Sequence, residues 1–381
     1  MKSLKGNIAV SILVFINFIF LYKYVSRYTE FGIYISLLIL VAQVGVYRFR
    51  NSITISIKSK QIICFAVLIG IISLVLISHF AIPVESLNVD RATVISSFLT
   101  ELFQGDYPYF ARSHMGNFPG PMPVYFLIAA PFYLLGELSI LSALGYLVFV
   151  LLIRKKINSA QNLNFIFFYF LTSAYLIWEI ATRSNVFSFT TLLLFVLMAF
   201  LNLERSQTTR FYILAILTGI LLSTRSVYIL AYFIFFISSL TNREITFKRL
   251  FLFLSIAVLA FGASFLPFII FFKDEFAMMN PFIIQSSFLV PTFYTAIFML
   301  ISIVLAFFVK NKIDKLFYSG LSLFIAIFIY SVYHIVNFGY EKSYMNSNVD
   351  ISYFIFCMPF LIMYLLNEET LNTPKIELLK T

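Results

Sequence analysis

Residues Ile62–Ile82 read IICFAVLIGIISLVLISHFAI, an apolar stretch with no Lys, Arg, Asp or Glu in it. A helix that crosses the hydrocarbon core of a bilayer needs about 20 mostly apolar residues, and this run has that length. Its apolar residues do not alternate with polar ones, so it is not a strand with one wet face. A transmembrane barrel, made of short alternating segments, is excluded for the same reason. Inside lipid every backbone N–H and C=O must find its partner within the chain, and helix is the conformation that provides it. Leu250–Phe272, LFLFLSIAVLAFGASFLPFIIFF, reads the same way.

Such runs recur along the chain, at 7–25, 31–47, 62–82, 121–153, 163–180, 184–203, 211–223, 226–240, 250–272, 288–309, 315–336 and 351–366. The expectation is an all-α, polytopic transmembrane helix bundle of about 12 spans (11–13). Residues 1–366 form one domain, and 367–381 form a short polar cytoplasmic tail. Composition agrees: of 381 residues 61% are hydrophobic and 12% charged, with a mean hydropathy of +0.95. A soluble domain carries about 25% charged residues. The N-terminus, MKSLKG followed by Asn7–Val25, resembles a signal sequence. Its apolar core is too long and no small-residue cleavage site follows, so it reads as a retained first span.

Loop charge orients the bundle. Lys2 and Lys5 place the N-terminus inside, and Arg48, Arg50, Lys58 and Lys60 mark an inner loop. Arg154, Lys155 and Lys156, then Arg243, Lys248 and Arg249, then Lys310, Lys312 and Lys315 mark others. Segments 83–120, 273–287 and 337–350 are balanced or acidic and fall outside. The run 121–153 splits at Gly136-Glu137 into two short helices. Two crossings there put Arg154–Lys156 on the wrong side; an odd number, as with a partly re-entrant first helix, restores the pattern. The net charge of +10 thus belongs to inner loops and membrane lipids, not to nucleic acid. The pattern fits a bacterial inner (plasma) membrane and also admits a eukaryotic endomembrane. Cys64 and Cys357 both lie in spans and form neither a disulfide framework nor a CxxC site. With three scattered histidines, a His/Cys zinc site is not indicated. The 48 Phe and 23 Tyr read as lipid-facing surface.

The outer loop 83–120 is the longest segment between spans. Within Asn88–Phe103, Val89, Ala92, Val94, Ile95, Phe98, Leu99, Leu102 and Phe103 recur at helical spacing, which predicts an amphipathic helix on the outer membrane face. Gly105 ends it, and Pro108, Pro119, Pro121 and Pro123 keep the chain irregular beyond. Asp90 opens this helix and has two readings: a general base at the membrane surface, or a carboxylate that favours the helix dipole. Glu101 shares its face but stands about 16 Å away by helix rise, too far for a two-carboxylate centre. Glu179, Arg183 and Asn185 interrupt apolar sequence, as does Arg225 in LLSTRSVY. Ionisable groups at membrane depth tend to mark a cavity, although an Arg in a short turn can also snorkel to the headgroups. Arg91, Arg112, Lys273, His334 and Lys342 are outer cations suited to an anionic headgroup or to interfacial anchoring.

Together the loop and its flanks resemble the GT-C superfamily of polyprenyl-phosphate-sugar-dependent membrane glycosyltransferases. The resemblance rests on Asp90 early in the first large outer loop, then Gly105-Asp106-Tyr107-Pro108-Tyr109, then Pro123-Val124-Tyr125 through Pro131 to Leu134-Leu135-Gly136. Gly219-Ile220-Leu221-Leu222-Ser223-Thr224-Arg225, Asn280-Pro281-Phe282 and Tyr353 through Pro359 continue it. Two positions depart from the pattern: Arg91 follows Asp90 where many members carry a second acid, and Ser352 precedes Tyr353 where an Arg is common.

The resemblance implies transfer of a sugar from a polyprenyl-phosphate donor to a glycan, lipid or protein acceptor, with no required cofactor and an optional divalent metal. Asp90 would act as base, since a carboxylate near the acceptor hydroxyl makes it more nucleophilic. Arg225, with Arg91 or Arg183, would hold the phosphate, because the guanidinium fork matches phosphate geometry. Tyr107, Tyr109, Arg112 and His114 complete the expected substrate-binding set. The competing readings are a flippase or carrier of lipid-linked oligosaccharides, a polymerase of such units, and a non-catalytic subunit of a surface-polymer assembly. Transporters often carry internal repeats, and the two halves of this chain show no such similarity. A polymerase would place its principal loops later in the chain.

The orientation is testable. A single cysteine substituted in the 83–120 loop should react with an impermeant maleimide on intact cells. Labelling that needs permeabilised cells would invert the assignment.

Overall fold

The computed structural model describes residues 4–50, 52, 57–156, 160–204, 206–288, 290–346 and 349–368. Residues 369–381, most of the expected polar tail, lie outside them, as does the side chain of Cys64. Every regular element among the described residues is helical. In chain order they are α1 (Leu4–Val25), α2 (Gly32–Arg48), α3 (Ile57–Ala81), α4 (Arg91–Gln104), α5 (Pro123–Leu134) and α6 (Ser139–Lys156). There follow α7 (Ala160–Leu171), α8 (Ala174–Ala181), α9 (Val186–Leu201), α10 (Thr208–Leu222), α11 (Ile229–Thr241) and α12 (Phe247–Ala263). The last are α13 (Leu266–Phe271), α14 (Lys273–Met278), α15 (Pro281–Phe288), α16 (Thr292–Phe307), α17 (Lys312–Phe338) and α18 (Met358–Glu368), the last entered through a 3-10 turn, Ile351–Cys357.

By length and apolarity, three described segments can each cross a bilayer unaided: Leu4–Val25, Lys312–Phe338 and Ile351–Glu368. Two bent pairs raise this to five if each is one span. The outer surface is inverted relative to a water-soluble protein: Leu38, Phe80, Leu259, Phe271 and Phe293 are each at least 70% exposed. Apolar exposure on this scale marks a surface that meets something other than water.

The loops gather at two ends. At one, Lys5 Nζ pairs with Asp314 at 2.6 Å, Lys315 with Glu244 at 2.5 Å, and Asn242 donates to the Val309 carbonyl at 3.2 Å. At the other, Arg27 donates to the Met345 carbonyl at 3.0 Å, and Tyr107 to the Met279 carbonyl at 2.5 Å. The N-terminus, the turn after α11 and the turn before α17 thus share one end, and the 83–120 loop meets the 273–287 segment at another place, as Arg27 meets the 337–350 segment.

Two expected single spans are broken. In 250–272 the helix stops at Ala263 and restarts at Leu266, with Pro267 in the first turn of α13. Proline lacks the N–H that would continue the ladder. In 163–180, α7 and α8 meet at a 52° bend. Here Ser173 is extended (φ −92°, ψ 109°) and backbone groups are released inside the bundle. Asn17 of α1 satisfies them: its Oδ1 accepts from Ala174 N at 3.0 Å and its Nδ2 donates to the Thr172 carbonyl at 2.9 Å. Gln43 of α2 donates to Thr172 Oγ1 at 2.7 Å. Breaks are tolerated at membrane depth where side chains re-satisfy the backbone in this way.

The 121–153 run also divides where expected. Gly136 takes the left-handed conformation (φ 80°), and α5 and α6 diverge by 109°. Only α6 then runs along the bundle, against α3, α9 and α18. Helix α5 packs on α4 instead, with Phe98 stacked on Phe126 at 3.6 Å between ring centroids. The amphipathic helix starts three residues later and ends one residue beyond the expected Asn88–Phe103, buries Ala92, Val94, Ile95, Phe98 and Leu99, and ends on Gly105 at φ 86°.

Asn17 is fully buried, so N17A strips two hydrogen bonds from the α7–α8 break. An unsatisfied buried group costs about 1–3 kcal/mol, and the variant should lower the thermal midpoint of the detergent-solubilised protein by several degrees. An unchanged midpoint would remove Asn17 from this role.

Candidate functional site

The end of the bundle that carries the 83–120 loop holds an open cavity of about 1660 Å³, walled by α4, the loop that follows it, the Arg225 turn, α15, α16, α17 and residues between Tyr340 and Phe356. Single drug-sized ligands occupy about 300–1,000 Å³, so this space admits a larger molecule or two at once. Asp90, Arg91, Arg225, Asn117 and His334 give it a polar wall; Val94, Phe261, Phe298, Ile327 and Phe356 give it an apolar one.

Asp90 occupies the N-cap position of α4, but its side chain does not cap the helix. Its Oδ2 accepts two hydrogen bonds instead, from Ser113 Oγ at 2.7 Å and Asn117 Nδ2 at 2.8 Å. Oδ1 has no hydrogen-bond partner among the described residues. Asp90 still stands at the positive end of α4, where a carboxylate favours the helix dipole. Ser113 and Asn117 close a tight turn on themselves: Ser113 N donates to the Asn117 carbonyl at 3.0 Å, and Asn117 N to Ser113 Oγ at 3.2 Å. Gly116 makes the turn possible at φ 80°.

Arg112 and His114 brace this turn from outside the cavity. Arg112 Nη1 donates to the Gly116 carbonyl at 2.9 Å, with its guanidinium 4.0 Å from the centroid of Phe118. His114 Nδ1 meets Thr93 Oγ1 at 2.7 Å, and Nε2 meets the Leu87 carbonyl at 3.0 Å. A carbonyl only accepts, so Nε2 carries the proton. Tyr107 and Tyr109 likewise lie behind the wall. Tyr107 bonds the Met279 carbonyl and Tyr109 the Pro121 carbonyl at 3.2 Å. Burial pushes both phenols above their ordinary range, reinforced for Tyr107 by the charge of Glu275 and for Tyr109 by Tyr107. Both therefore act as neutral donors.

The three arginines differ in their partners. Arg91 pairs with Asp350, donates to Ser352 Oγ at 3.2 Å, and lies 5.1 Å over the ring of Tyr353. Arg183 is buried with a left-handed backbone (φ 55°), pairs with Glu137 at 3.2 Å, and donates to the carbonyls of Ser78 and Ala181. It does not line the cavity. Arg225 lines it and pairs with no carboxylate among the described residues. Its guanidinium sits 4.7 Å over Tyr125, whose hydroxyl donates to Asn185 Oδ1 at 2.6 Å. Arg225 Nη2 is buried without a hydrogen-bond partner. Buried donors are normally satisfied, and Nη2 is one of several side-chain atoms among the described residues that are not.

Of the expected site residues, the structure brings Asp90, Arg91 and Arg225 to one cavity, and leaves Arg183, Tyr107, Tyr109, Arg112 and His114 as supports around it. Glu179 also stays in the interior, accepting from Tyr146 Oη at 2.6 Å and Phe187 N at 2.7 Å. Ser113, Asn117 and Asp350 were not singled out by sequence; a Ser and an Asn around a glycine turn look like any other loop. Among the described residues no cluster of three or more His, Cys, Asp or Glu could hold a metal ion. No family model, curated protein or solved structure matches this chain.

Proposed function

We propose that this protein is a multispan membrane glycosyltransferase that moves a sugar from a polyprenyl-phosphate donor to an acceptor on the outer face. In this reading twelve crossings are made by α1, α2, α3, α6, α7–α8, α9, α10, α11, α12–α13, α16, α17 and the segment ending in α18, with α4 and α5 lying along the outer surface. A single crossing by α6 returns Arg154–Lys156 to the basic end, which fits the charge pattern. The observation that carries the functional reading is a carboxylate with one free oxygen in the same cavity as an arginine with an unused buried donor.

The chemistry follows from those two groups. Asp90 Oδ1 takes the proton of the acceptor hydroxyl as its oxygen attacks C1 of the donor sugar. The C1–O bond to phosphate breaks, and its electron pair leaves on the phosphate oxygen. Arg225 stabilises the charge that develops there. No enzyme nucleophile intervenes, so the configuration at C1 inverts. The apolar wall beside the polar one suits a donor whose headgroup carries a lipid tail.

The test supplies polyprenyl-phosphate sugars and candidate acceptors to the purified protein. D90N should reduce transfer by about 10²–10⁴-fold, the usual contribution of a general base. R225A should reduce it by about 10²-fold or more, as loss of one oxyanion donor does. Transfer by D90N at the wild-type rate removes Asp90 as base. Translocation of the lipid-linked sugar without transfer would favour a carrier.

A further inference from the structure

We infer that Arg91 is a positioning residue, whose ion pair with Asp350 latches the first turn of α4, and with it Asp90, to the segment that leads into α18. The inference rests on the proposed role of Asp90 as base. Asp90 and Arg91 are consecutive and both line the cavity, yet they are tied in different directions. Asp90 is bonded to Ser113 and Asn117, within its own loop. Thr93 is bonded to His114, again within that loop. Among the described residues, Arg91 is the member of this turn whose side chain reaches beyond the loop, to Asp350 and Ser352.

The receiving end has bonds of its own. Asp350 Oδ1 accepts from Ser352 N at 2.9 Å, capping the 3-10 turn and fixing the carboxylate that Arg91 grips. Tyr353, beneath the guanidinium, is stacked on Phe356 at 5.8 Å between centroids and 19° between planes. The Arg91 side chain is 12% exposed and that of Asp350 28%, so the pair is shielded enough to hold against water and salt, unlike an open surface pair. A guanidinium already held by a carboxylate, a hydroxyl and a ring is not free to grip phosphate. What it does in this arrangement is carry the position of the far segment to the residue next to it.

Two readouts on the full-length protein decide this. In the transfer assay with a polyprenyl-phosphate sugar, R91A and D350N should lower kcat by about 10- to 100-fold, the scale of a misplaced catalytic group. The donor KM should stay within about threefold, because binding is retained. The exchanged pair R91D/D350R should recover about tenfold of the loss. The second readout needs no activity. In a background with C64S and C357A, D90C is reacted with a small impermeant methanethiosulfonate. Adding D350N should speed the reaction by about fivefold or more, as the helix start opens locally. Wild-type kcat in R91A and D350N, or an unchanged labelling rate, overturns the latch even where transfer itself is established. If the wild-type protein transfers no sugar, the proposed function fails, and the labelling rate alone still decides whether Asp350 holds the turn.

Discussion

A peptide group released inside an apolar bundle must be given a partner, and the rest of this structure depends on how that demand is met at the junction of α7 and α8. Asn17 reaches across from α1 and satisfies both sides of the break. The bend then delivers α8 and the turn after it to where they are needed. Glu179 receives the first N–H groups of α9 and the hydroxyl of Tyr146. Arg183 is pinned by Glu137 and the Ser78 carbonyl. Asn185 takes the hydroxyl of Tyr125, and Tyr125 carries Arg225 on its ring. Polar groups thus recur from the α7–α8 break, through the turn before α9, to the Tyr125–Arg225 contact at the cavity wall.

The positions of the helices were legible because apolar length and the absence of alternation leave the backbone a single way to satisfy itself. The two interior breaks were not. At Pro267 the signal was present but lay within an uninterrupted apolar run. At Thr172-Ser173 the cause is Asn17, about 155 residues earlier in the chain, and nothing local announces it. The loop helix was legible in its spacing and its glycine stop, and Asp90, noted for its place at the helix start, lines the cavity. Its partners were not found, since a five-residue turn built on Ser113 and Asn117 has no distinctive composition.

Charge was the hardest feature to interpret. Arg91, Arg183 and Arg225 look alike in sequence, each the one basic residue in a short polar break between apolar stretches. Their roles separate only when their partners are known, and Asp350 lies 259 residues from Arg91 while Glu137 lies 46 from Arg183. Burial in a low-dielectric bundle makes an uncompensated cation costly. Two of the three are compensated by a carboxylate and one is not. That difference, invisible in composition, is what singles out Arg225.

The two donors to Asp90 converge on the same oxygen. A carboxylate held by a single bond can swing about Cβ–Cγ at the cost of that bond alone. Held twice on Oδ2, it can rotate about Cβ–Cγ only by breaking both bonds together. Oδ1 is thus held in place, and a hydroxyl donates to it best from near the carboxylate plane. Selectivity among hydroxyls of one sugar would then follow from trajectory rather than from acidity.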